Sequence, residues 1–223
     1  MQKPLSLIGL AILSLITVQA NAAVLITEVA PWGSGNSPYA TDWFELTNTG
    51  SSVVNISGWK MDDNSNSFSL ATSLTGITSI GAGESVIFTE NTANASFLST
   101  WFGTKIPAGL QIGSYTGAGV GLSATADAVN IYNASGVLQA NITFAASDAT
   151  APYQTFDNAA GLNNAAISTL SLVGVNGAFV ASNDVSEIGS PGKIAAAVPE
   201  ADSYAMLLVG LGLMGFVSRR RKG

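Results

Sequence analysis

The chain has 223 residues, of which 14 are Asp or Glu and 8 are Lys or Arg. It has no Cys and no His, so neither a thiolate nor a histidine base is available for catalysis. Arg stands only at residues 219–221, so the rest of the chain has no guanidinium group to bind a phosphate or carboxylate. Between residues 23 and 197 only Lys60, Lys105 and Lys193 are basic, which excludes binding to nucleic acid through its phosphates.

The N-terminal residues have the three parts of a signal peptide. Lys3 supplies a positive charge, and residues 5–18 are apolar. Ala20 and Ala22 flank Asn21 at the small-x-small spacing of a cleavage site. We therefore expect residues 1–22 to form a signal helix that is removed after Ala22 during export.

Residues 23–194 have the pattern of an all-β domain. Short apolar runs alternate with turn residues, which is typical of a sandwich or barrel. Strands are predicted at residues 24–29, 43–47, 53–56, 59–61, 85–89, 128–132, 137–144, 170–173 and 178–180. The last two are expected to form a hairpin across Asn176-Gly177. Within 43–47, alternation places Phe44 and Leu46 on one face, and Trp43 and Glu45 on the other.

Two regions interrupt the strand pattern. Residues 92–103 carry Phe97, Leu98, Trp101 and Phe102 at helical spacing, which predicts a short helix that caps an open end of the sandwich. Residues 145–169 have no periodicity and are expected to form a long loop.

The domain resembles the lamin-tail domain, an immunoglobulin-like β-sandwich. The matching segments are ITEVAP at 26–31, DWFELTNTGSSVVNISGW at 42–59, Asp62-Asp63, Phe68 and GESVIF at 83–88, with looser matches at 128–132, 136 and 190–192. The resemblance covers about residues 24–194. It implies a fold more than an activity; bacterial lamin-tail domains occur on exported proteins and are thought to serve in attachment or binding.

Several acidic residues are candidate metal ligands. Glu28, Asp42 and Glu45 stand near the first two strands, and with Asp62 and Asp63 they could offer oxygen atoms to calcium. The run that begins at Asp62 lacks the Gly and the distal Glu of a calcium loop. A polar turn, in which Asp and Asn bond to their own backbone, is the favoured interpretation.

Catalysis has weak candidates only. Asp148 and Asp157 could form the carboxylate pair of a glycosidase, although solvated loop acids are the favoured interpretation. No Ser lies in a Gly-x-Ser-x-Gly elbow. We therefore predict no catalytic residue and no resident cofactor.

Aromatic residues are candidates for stacking on sugar rings. They are Trp32, Tyr39, Trp43, Trp59 and Trp101. Trp59 follows Gly58 in the lamin-tail motif, where core packing is its natural role. Trp32 lies in the loop PWGSG at 31–35, where we expect it to be exposed, and it is the binding candidate.

The C-terminal residues combine three features. Val198, Pro199 and Glu200 lie in a linker at 195–203, and residues 204–217 are apolar. Arg219, Arg220, Arg221 and Lys222 form a basic cluster after them. The basic cluster is expected to stay in the cytoplasm. Because a bilayer crossing takes about 20 residues, the short apolar segment predicts a temporary membrane-spanning helix rather than a permanent anchor.

This tail resembles the PEP-CTERM sorting signal of Gram-negative bacteria, with Ala201 in place of the motif's second proline. The resemblance implies processing by an exosortase, a transpeptidase-like membrane enzyme, and an association with exopolysaccharide and biofilm.

Together these features predict an exported, non-enzymatic binding or structural protein of the cell envelope or extracellular matrix. A carboxylate- or calcium-dependent hydrolase that uses Asp42, Glu45, Asp62 and Asp63 is the alternative. A cation-dependent adhesive module is a third possibility.

Overall fold

The computed structural model describes residues 24–148 and 150–193. The predicted signal helix at 1–22, and the linker, sorting motif, membrane-spanning helix and basic cluster at 195–223, lie outside the described residues.

Strands dominate the described residues. The strands are β1 (Val24–Ala30), β2 (Trp43–Asn48), β3 (Val54–Asn55), β4 (Lys60–Asp62), β5 (Thr72–Ser73), β6 (Ser79–Ile80), β7 (Ser85–Glu90), β8 (Gln111–Tyr115), β9 (Asp127–Tyr132), β10 (Leu138–Phe144), β11 (Tyr153–Gln154), β12 (Phe156–Asp157), β13 (Ala165–Ile167), β14 (Phe179–Val180) and β15 (Glu187–Gly189). The helices are α1 (Gly33–Asn36) and α2 (Asn94–Phe102). None of the helices in these ranges is long and apolar enough to cross a bilayer.

Two five-stranded sheets form the sandwich. The first sheet has the order β12-β1-β2-β7-β8 and the second has the order β13-β10-β9-β4-β5. Phe44 and Leu46 of β2 pack in the core between the sheets with Val129 and Ile131 of β9. Alternation along each strand therefore directs every second side chain into this core, and the mostly β structure is consistent with the predicted immunoglobulin-like sandwich.

The first sheet is also covered on its outer face. Trp43 and Ile87 point away from the main core and pack with Phe97 and Trp101 of α2. A third sheet, β11-β15-β14, lies in the same layer through Phe179, whose ring centroid is 5.7 Å from that of Trp101. As a result, all six residues of β2 are buried.

The predicted helix exists, but its predicted role was wrong. Helix α2 connects β7 to β8, which are parallel and so need a crossover connection. The ring centroid of Phe97 lies 5.4 Å from that of Trp43, which places the helix on the outer face of the first sheet rather than at an open end.

The predicted strands at 128–132 and 137–144 are present and pair with each other as β9 and β10, whereas the hairpin predicted across Asn176-Gly177 was wrong. The Asn176-Gly177 turn is present, because Ala178 N–H donates to Val175 O at 2.8 Å. Beyond it, β14 pairs with β15, because packing of Phe179 against Trp101 and Phe102 draws the strand into the outer layer.

The expected long loop at 145–169 was also wrong, because it contains three short strands. Strand β12 joins the edge of the first sheet beside β1, and β13 runs parallel to β10 in the second. Strands of two or three residues are too short to produce a recognisable period, so the sequence pattern did not reveal them.

Gly113 lies in β8 of the first sheet, at a position where neighbouring atoms leave no room for a side chain. A Cβ at this position would lie 2.4 Å from Thr75 O and 2.6 Å from Phe88 Cε1. We expect Gly113→Ala to lower the free energy of unfolding by about 1–3 kcal/mol, which urea denaturation would measure.

Gly35→Ala is the matched control for this substitution, because no atom lies within 4 Å of the added Cβ. Its unfolding midpoint should stay close to that of the wild type. Equal effects of the two substitutions would contradict the close approach at Gly113.

Candidate functional site

A row of acidic residues crosses the outer face of the first sheet. The antiparallel register pairs Asp157 of β12 with Glu28 of β1, and Glu28 with Glu45 of β2. A β-bulge between Ile26 and Glu28 turns the Glu28 side chain away from the main core, where strict alternation would have placed it beside Val24 and Ile26. Acidic side chains are thereby directed into the outer layer.

Glu28 and Glu45 hold the last described residues of the chain. Glu28 Oε1 accepts hydrogen bonds from Ser190 N–H at 2.6 Å and from Thr155 Oγ1 at 2.5 Å. Glu45 Oε2 accepts a hydrogen bond from Gly192 N–H at 2.7 Å, and its Oε1 accepts one from Thr27 Oγ1 at 2.6 Å. We call these contacts of Ser190 and Gly192 with Glu28 and Glu45 the carboxyl clamp.

Both carboxyl groups of the clamp retain protons at unusually high pH. Burial, together with the neighbouring charge of Glu45, raises the pKa of Glu28 from its ordinary 4.5 to about 8. Burial likewise raises the pKa of Glu45 to about 7. Hydrogen bonds from Thr155, Ser190, Thr27 and Gly192 act in the opposite direction, but burial dominates.

A second polar centre lies in the same layer around the hydroxyl group of Tyr39. This hydroxyl accepts hydrogen bonds from Trp43 Nε1 at 3.1 Å and Trp101 Nε1 at 3.2 Å, and donates to Glu187 Oε2 at 3.0 Å. Burial and the nearby Glu187 raise the pKa of Tyr39 well above its usual value, so its hydroxyl remains a donor. One atom thus links β2, α2 and β15.

Glu187 resembles the clamp residues in its environment. It is fully buried, and burial raises its pKa to about 7. Its Oε1 and the Oε2 of Glu28 have no hydrogen-bond partner among the described residues. These carboxyl groups are enclosed by their own chain, so their chemistry in this conformation is to bind backbone and side-chain donors rather than an external substrate.

The other candidate calcium ligands do not join Glu28 and Glu45. Because Met61 points into the main core, the next residue, Asp62, lies on the outer face of the second sheet, on the opposite side of the sandwich from Glu45. The four-carboxylate arrangement of the hydrolase alternative is therefore wrong. In the ranges that the structure describes, no three acidic side chains come close enough to hold a metal ion.

Asp62 and Asp63 form a local turn. Asp62 Oδ2 accepts hydrogen bonds from Ser65 Oγ and Ser67 N–H, both at 2.6 Å, and Asp63 Oδ1 accepts one from Ser65 N–H at 3.0 Å. This is the self-bonded polar turn that the sequence favoured. Asp42 is separate from it: Asp42 Oδ1 accepts a hydrogen bond from Ser34 N–H, and burial raises its pKa to about 6.

Asp148 and Asp157 are not joined by a hydrogen bond. Asp157 Oδ1 accepts a bond from Ala159 N–H at 2.7 Å, and its Oδ2 accepts one from Asn176 Nδ2 at 2.9 Å. Asp157 therefore fastens the 172–178 turn to the sheet edge.

The expectation that Trp32 is exposed was wrong. The side chain is fully buried, its Nε1 donates to Gln154 O at 2.9 Å, and its ring stacks on Tyr153 at a centroid distance of 5.5 Å. Tyr153 and Gln154 contact the buried ring, so it is closed to a sugar in this conformation. Tyr39, Trp43, Trp59 and Trp101 are also buried, and Trp59 has the predicted core position.

An open cleft lies on the outer face of the second sheet. Its volume is about 360 Å³, and its polar lining comes from Asn64, Asn66, Asp127, Asn130, Asn141 and Thr143. Asn130 and Asn141 are paired across β9 and β10. Asn130 is buried and its Nδ2 donates to Asp63 O, so the accessible polar groups of the cleft are those of residues such as Asn64, Asn141 and Thr143. Such amide and hydroxyl groups both donate and accept hydrogen bonds, which suits a ligand rich in hydroxyl groups.

The sequence did not reveal the roles of Tyr39, Glu187, Ser190 and Gly192. All four act through contacts with residues far along the chain, which no local period records. One signal was present: Glu28 and Glu45 interrupt apolar strands with no basic residue nearby in the sequence.

The fold and the C-terminal residues define an exported, envelope-sorted protein with an immunoglobulin-like sandwich. The chain belongs to the lamin tail domain family, because the model of the Lamin Tail Domain matches residues 17–146, more than half of the chain. The PEP-CTERM protein-sorting motif matches residues 197–222, and this motif is the recognition signal for exosortase processing in Gram-negative bacteria. No curated protein and no solved structure matches the chain.

The family match ends at residue 146, before the segment that covers the first sheet. Strands β11–β15 and the donors Ser190 and Gly192 therefore lie outside the matched part, whereas Glu28 and Glu45 lie within it. The clamp joins the family domain to its C-terminal extension.

Because the Tyr39 hydroxyl joins three buried partners, we expect its removal to lower the free energy of unfolding strongly. In Tyr39→Phe, two buried indole N–H groups and Glu187 lose their partner, and each unsatisfied buried group costs about 1–3 kcal/mol. We expect the free energy of unfolding to fall by about 2–4 kcal/mol in urea denaturation followed by tryptophan fluorescence.

Tyr153→Phe is the matched control for Tyr39→Phe, because the described residues offer its hydroxyl no hydrogen bond while its ring stacks on Trp32. Its effect should stay below about 1 kcal/mol. Equal losses in the two variants would show that the Tyr39 hydroxyl is not a buried centre.

The clamp predicts that stability falls in alkaline solution. The folded pKa values of Glu28 and Glu45 lie above 4.5, so their protonated forms are favoured in the fold. The contribution of their protonated forms to the free energy of unfolding is complete below pH 4.5 and is lost as pH rises through about 7 to 8. We expect urea titrations to give a lower free energy of unfolding at pH 9 than at pH 5.

Glu45→Gln should reduce this pH dependence. The amide oxygen can accept from Gly192 N–H, and the amide N–H₂ can donate to Thr27, whose hydroxyl can reverse toward Thr47. The free energy of unfolding of the variant should exceed that of the wild type by about 1–3 kcal/mol at pH 8.5 and should equal it at pH 5. Asp148→Asn, at a half-exposed carboxyl group, is the control; an unchanged slope in Glu45→Gln would contradict the clamp.

Proposed function

We propose that this protein is a non-enzymatic binding or structural component of an exopolysaccharide matrix. It is exported, held briefly in the inner membrane, processed by an exosortase-type enzyme, and then displayed on the envelope or released into the matrix. The observation that carries the proposal is the order of the chain: a closed β-sandwich followed directly by a sorting motif at 197–222.

The membrane-held stage is supported by the sequence of the tail. Residues 204–217 are apolar, and Arg219, Arg220, Arg221 and Lys222 follow them. A cationic cluster of this kind stays on the cytoplasmic side, so the sandwich would lie on the far side of the membrane. The exosortase then acts near Val198, Pro199 and Glu200.

The contacts of the buried carboxyl groups support a structural role. The carboxyl groups with raised pKa values, those of Glu28, Glu45 and Glu187, are enclosed and bind donors of the same chain. These groups would be the natural acids or bases of a hydrolase, yet here they fasten the outer layer to the first sheet.

The polar cleft on the second sheet supports a polysaccharide as the ligand. The accessible side chains of Asn64, Asn141 and Thr143 can pair with sugar hydroxyl groups, and the open form of the cleft suits a polymer that passes across the surface. Lys60, Lys105 and Lys193 are few against the acidic residues of the domain, so a neutral polysaccharide fits this surface better than a polyanion.

The proposal is tested with the mature protein recovered from the producing cell. Mass spectrometry should find a chain that begins after Ala22 and ends before Tyr204. The same preparation should co-sediment with exopolysaccharide from the same cell and leave its chain length unchanged. Asn141→Ala and Thr143→Ala, which remove accessible polar groups of the cleft, should weaken co-sedimentation, whereas Gly35→Ala should not.

Two results would defeat the proposal. One is depolymerisation of the exopolysaccharide by the purified protein. The other is an intact, unprocessed chain that stays in the cytosol and binds no polymer.

A further inference from the structure

A loop at residues 172–175 exposes three aliphatic side chains in four positions. Leu172, Val173 and Val175 are 57%, 58% and 47% exposed, and Gly174 separates the last two. Single exposed aliphatic residues are ordinary, but a contiguous patch marks a surface that contacts an apolar partner. We call residues 172–175 the aliphatic loop.

The aliphatic loop lies where the described chain ends. Asn176 and Gly177 have φ values of 49° and 83° and reverse the chain directly after the loop. A Cβ at Gly177 would lie 3.1 Å from the Cβ of Lys193, so this turn touches the last described residue. The loop therefore stands beside Lys193, where the described chain ends, and we call this point the exit.

The position of this exit is fixed by buried contacts. The carboxyl clamp holds Ser190 and Gly192, and Lys193 N–H donates to Ser190 O at 2.9 Å. On the other side, Asn176 Nδ2 donates to Asp157 Oδ2. The loop and the exit therefore hold a fixed position relative to each other. An interaction that orients either one also orients the domain.

We infer that the aliphatic loop inserts into the lipid surface of the membrane that holds the C-terminal segment. This inference rests on the membrane-held stage of the proposed function. The chain from Lys193 to Tyr204, where the apolar segment begins, can extend at most about 40 Å. Such a short tether keeps the loop at high effective concentration over the bilayer.

In the loop and its turn, three backbone N–H groups already have partners, which lowers the cost of placing this part of the backbone in lipid. Gly174 N–H donates to Ala178 O at 2.9 Å, Val175 N–H to Leu172 O at 2.9 Å, and Ala178 N–H to Val175 O at 2.8 Å. An unpaired backbone group would resist transfer into lipid. These bonds leave the aliphatic side chains as the surface that the loop presents.

Lipid fits this surface better than a folded protein partner. Residues 172–175 have no polar side chain for a directional contact, and Asn176 is already bonded to Asp157. Lys193 stands beside the turn, and its ammonium group can reach lipid phosphates while its methylene groups stay against the domain. Aliphatic residues beside one basic side chain match the boundary between acyl chains and head groups.

The full chain, with its C-terminal segment intact, can be reconstituted in phosphatidylcholine nanodiscs. Because the chain has no Cys, Val173→Cys creates a unique site for the polarity-sensitive fluorophore NBD. We expect its emission to shift to shorter wavelength in nanodiscs and to be quenched by doxyl-labelled lipid. Leu70→Cys, 64% exposed on the loop that covers the second sheet, should emit as it does in water.

A further variant tests the side chains themselves. Leu172→Ser with Val175→Ser, added to the labelled Val173→Cys chain, should abolish most of the shift while the chain still co-elutes with the nanodiscs. Circular dichroism and a thermal melt would check that the domain remains folded.

The outcomes separate this inference from the proposed function. A chain that does not co-elute with nanodiscs refutes the membrane-held stage and the inference with it. A chain that co-elutes while the probe at residue 173 emits as in water overturns the inference alone. Equal shifts at residues 70 and 173 indicate unspecific adsorption, and a shift that requires an exosortase in the nanodisc indicates a protein partner; each overturns lipid insertion by the loop.

Discussion

The hydrogen bonds from Ser190 and Gly192 to Glu28 and Glu45 join the two ends of the described chain. Glu28 lies on the first strand, and the donors follow the last strand, so these bonds close the fold over the outer face of the first sheet. The outer aromatic layer depends on this closure, because β15 brings Glu187 under Tyr39. Trp43 and Trp101 in turn depend on Tyr39 for the partners of their indole N–H groups.

Burying two carboxyl groups on adjacent strands costs free energy, and the structure offsets that cost in two ways. Hydroxyl and backbone donors bind their oxygen atoms, and their raised pKa values keep protons on the pair near neutral pH. An apolar pair would bury more easily, but it would offer nothing to two backbone N–H groups at the exit. The two carboxyl groups therefore fix the positions of Ser190 and Gly192, at the expense of stability in alkaline solution.

The sequence predicted the two faces of the central strand β2 correctly but missed β5, β8, β12 and β13 of the two core sheets. Alternation placed Phe44 and Leu46 in the core and Trp43 and Glu45 on the opposite face, as the structure has them. It gave no sign that the opposite face is also covered, because the covering strands β11, β14 and β15 are two or three residues long.

The same limit explains the candidate sites. Trp32 was expected to be exposed because its loop is rich in Gly and Ser, but the residues that bury it lie more than 100 positions away. The bulge at 26–28 was equally invisible, although it decides that Glu28 faces the outer layer. By contrast, the Asp62-Asp63 turn was predictable, since its hydrogen bonds join residues no more than five positions apart.

The arrangement of the chain separates folding from sorting. Every strand of the three larger sheets ends by Gly189, and the clamp closes by Gly192, whereas the sorting motif begins at residue 197. Cleavage within the motif would therefore remove no described strand and no clamp residue. The fold of the sandwich can stay unchanged by processing. In the membrane-held stage that we propose, removal of the apolar segment would also remove the tether that keeps the aliphatic loop over lipid. A weak contact that depends on a tether ends when the tether is cut, because its affinity came from effective concentration rather than from area.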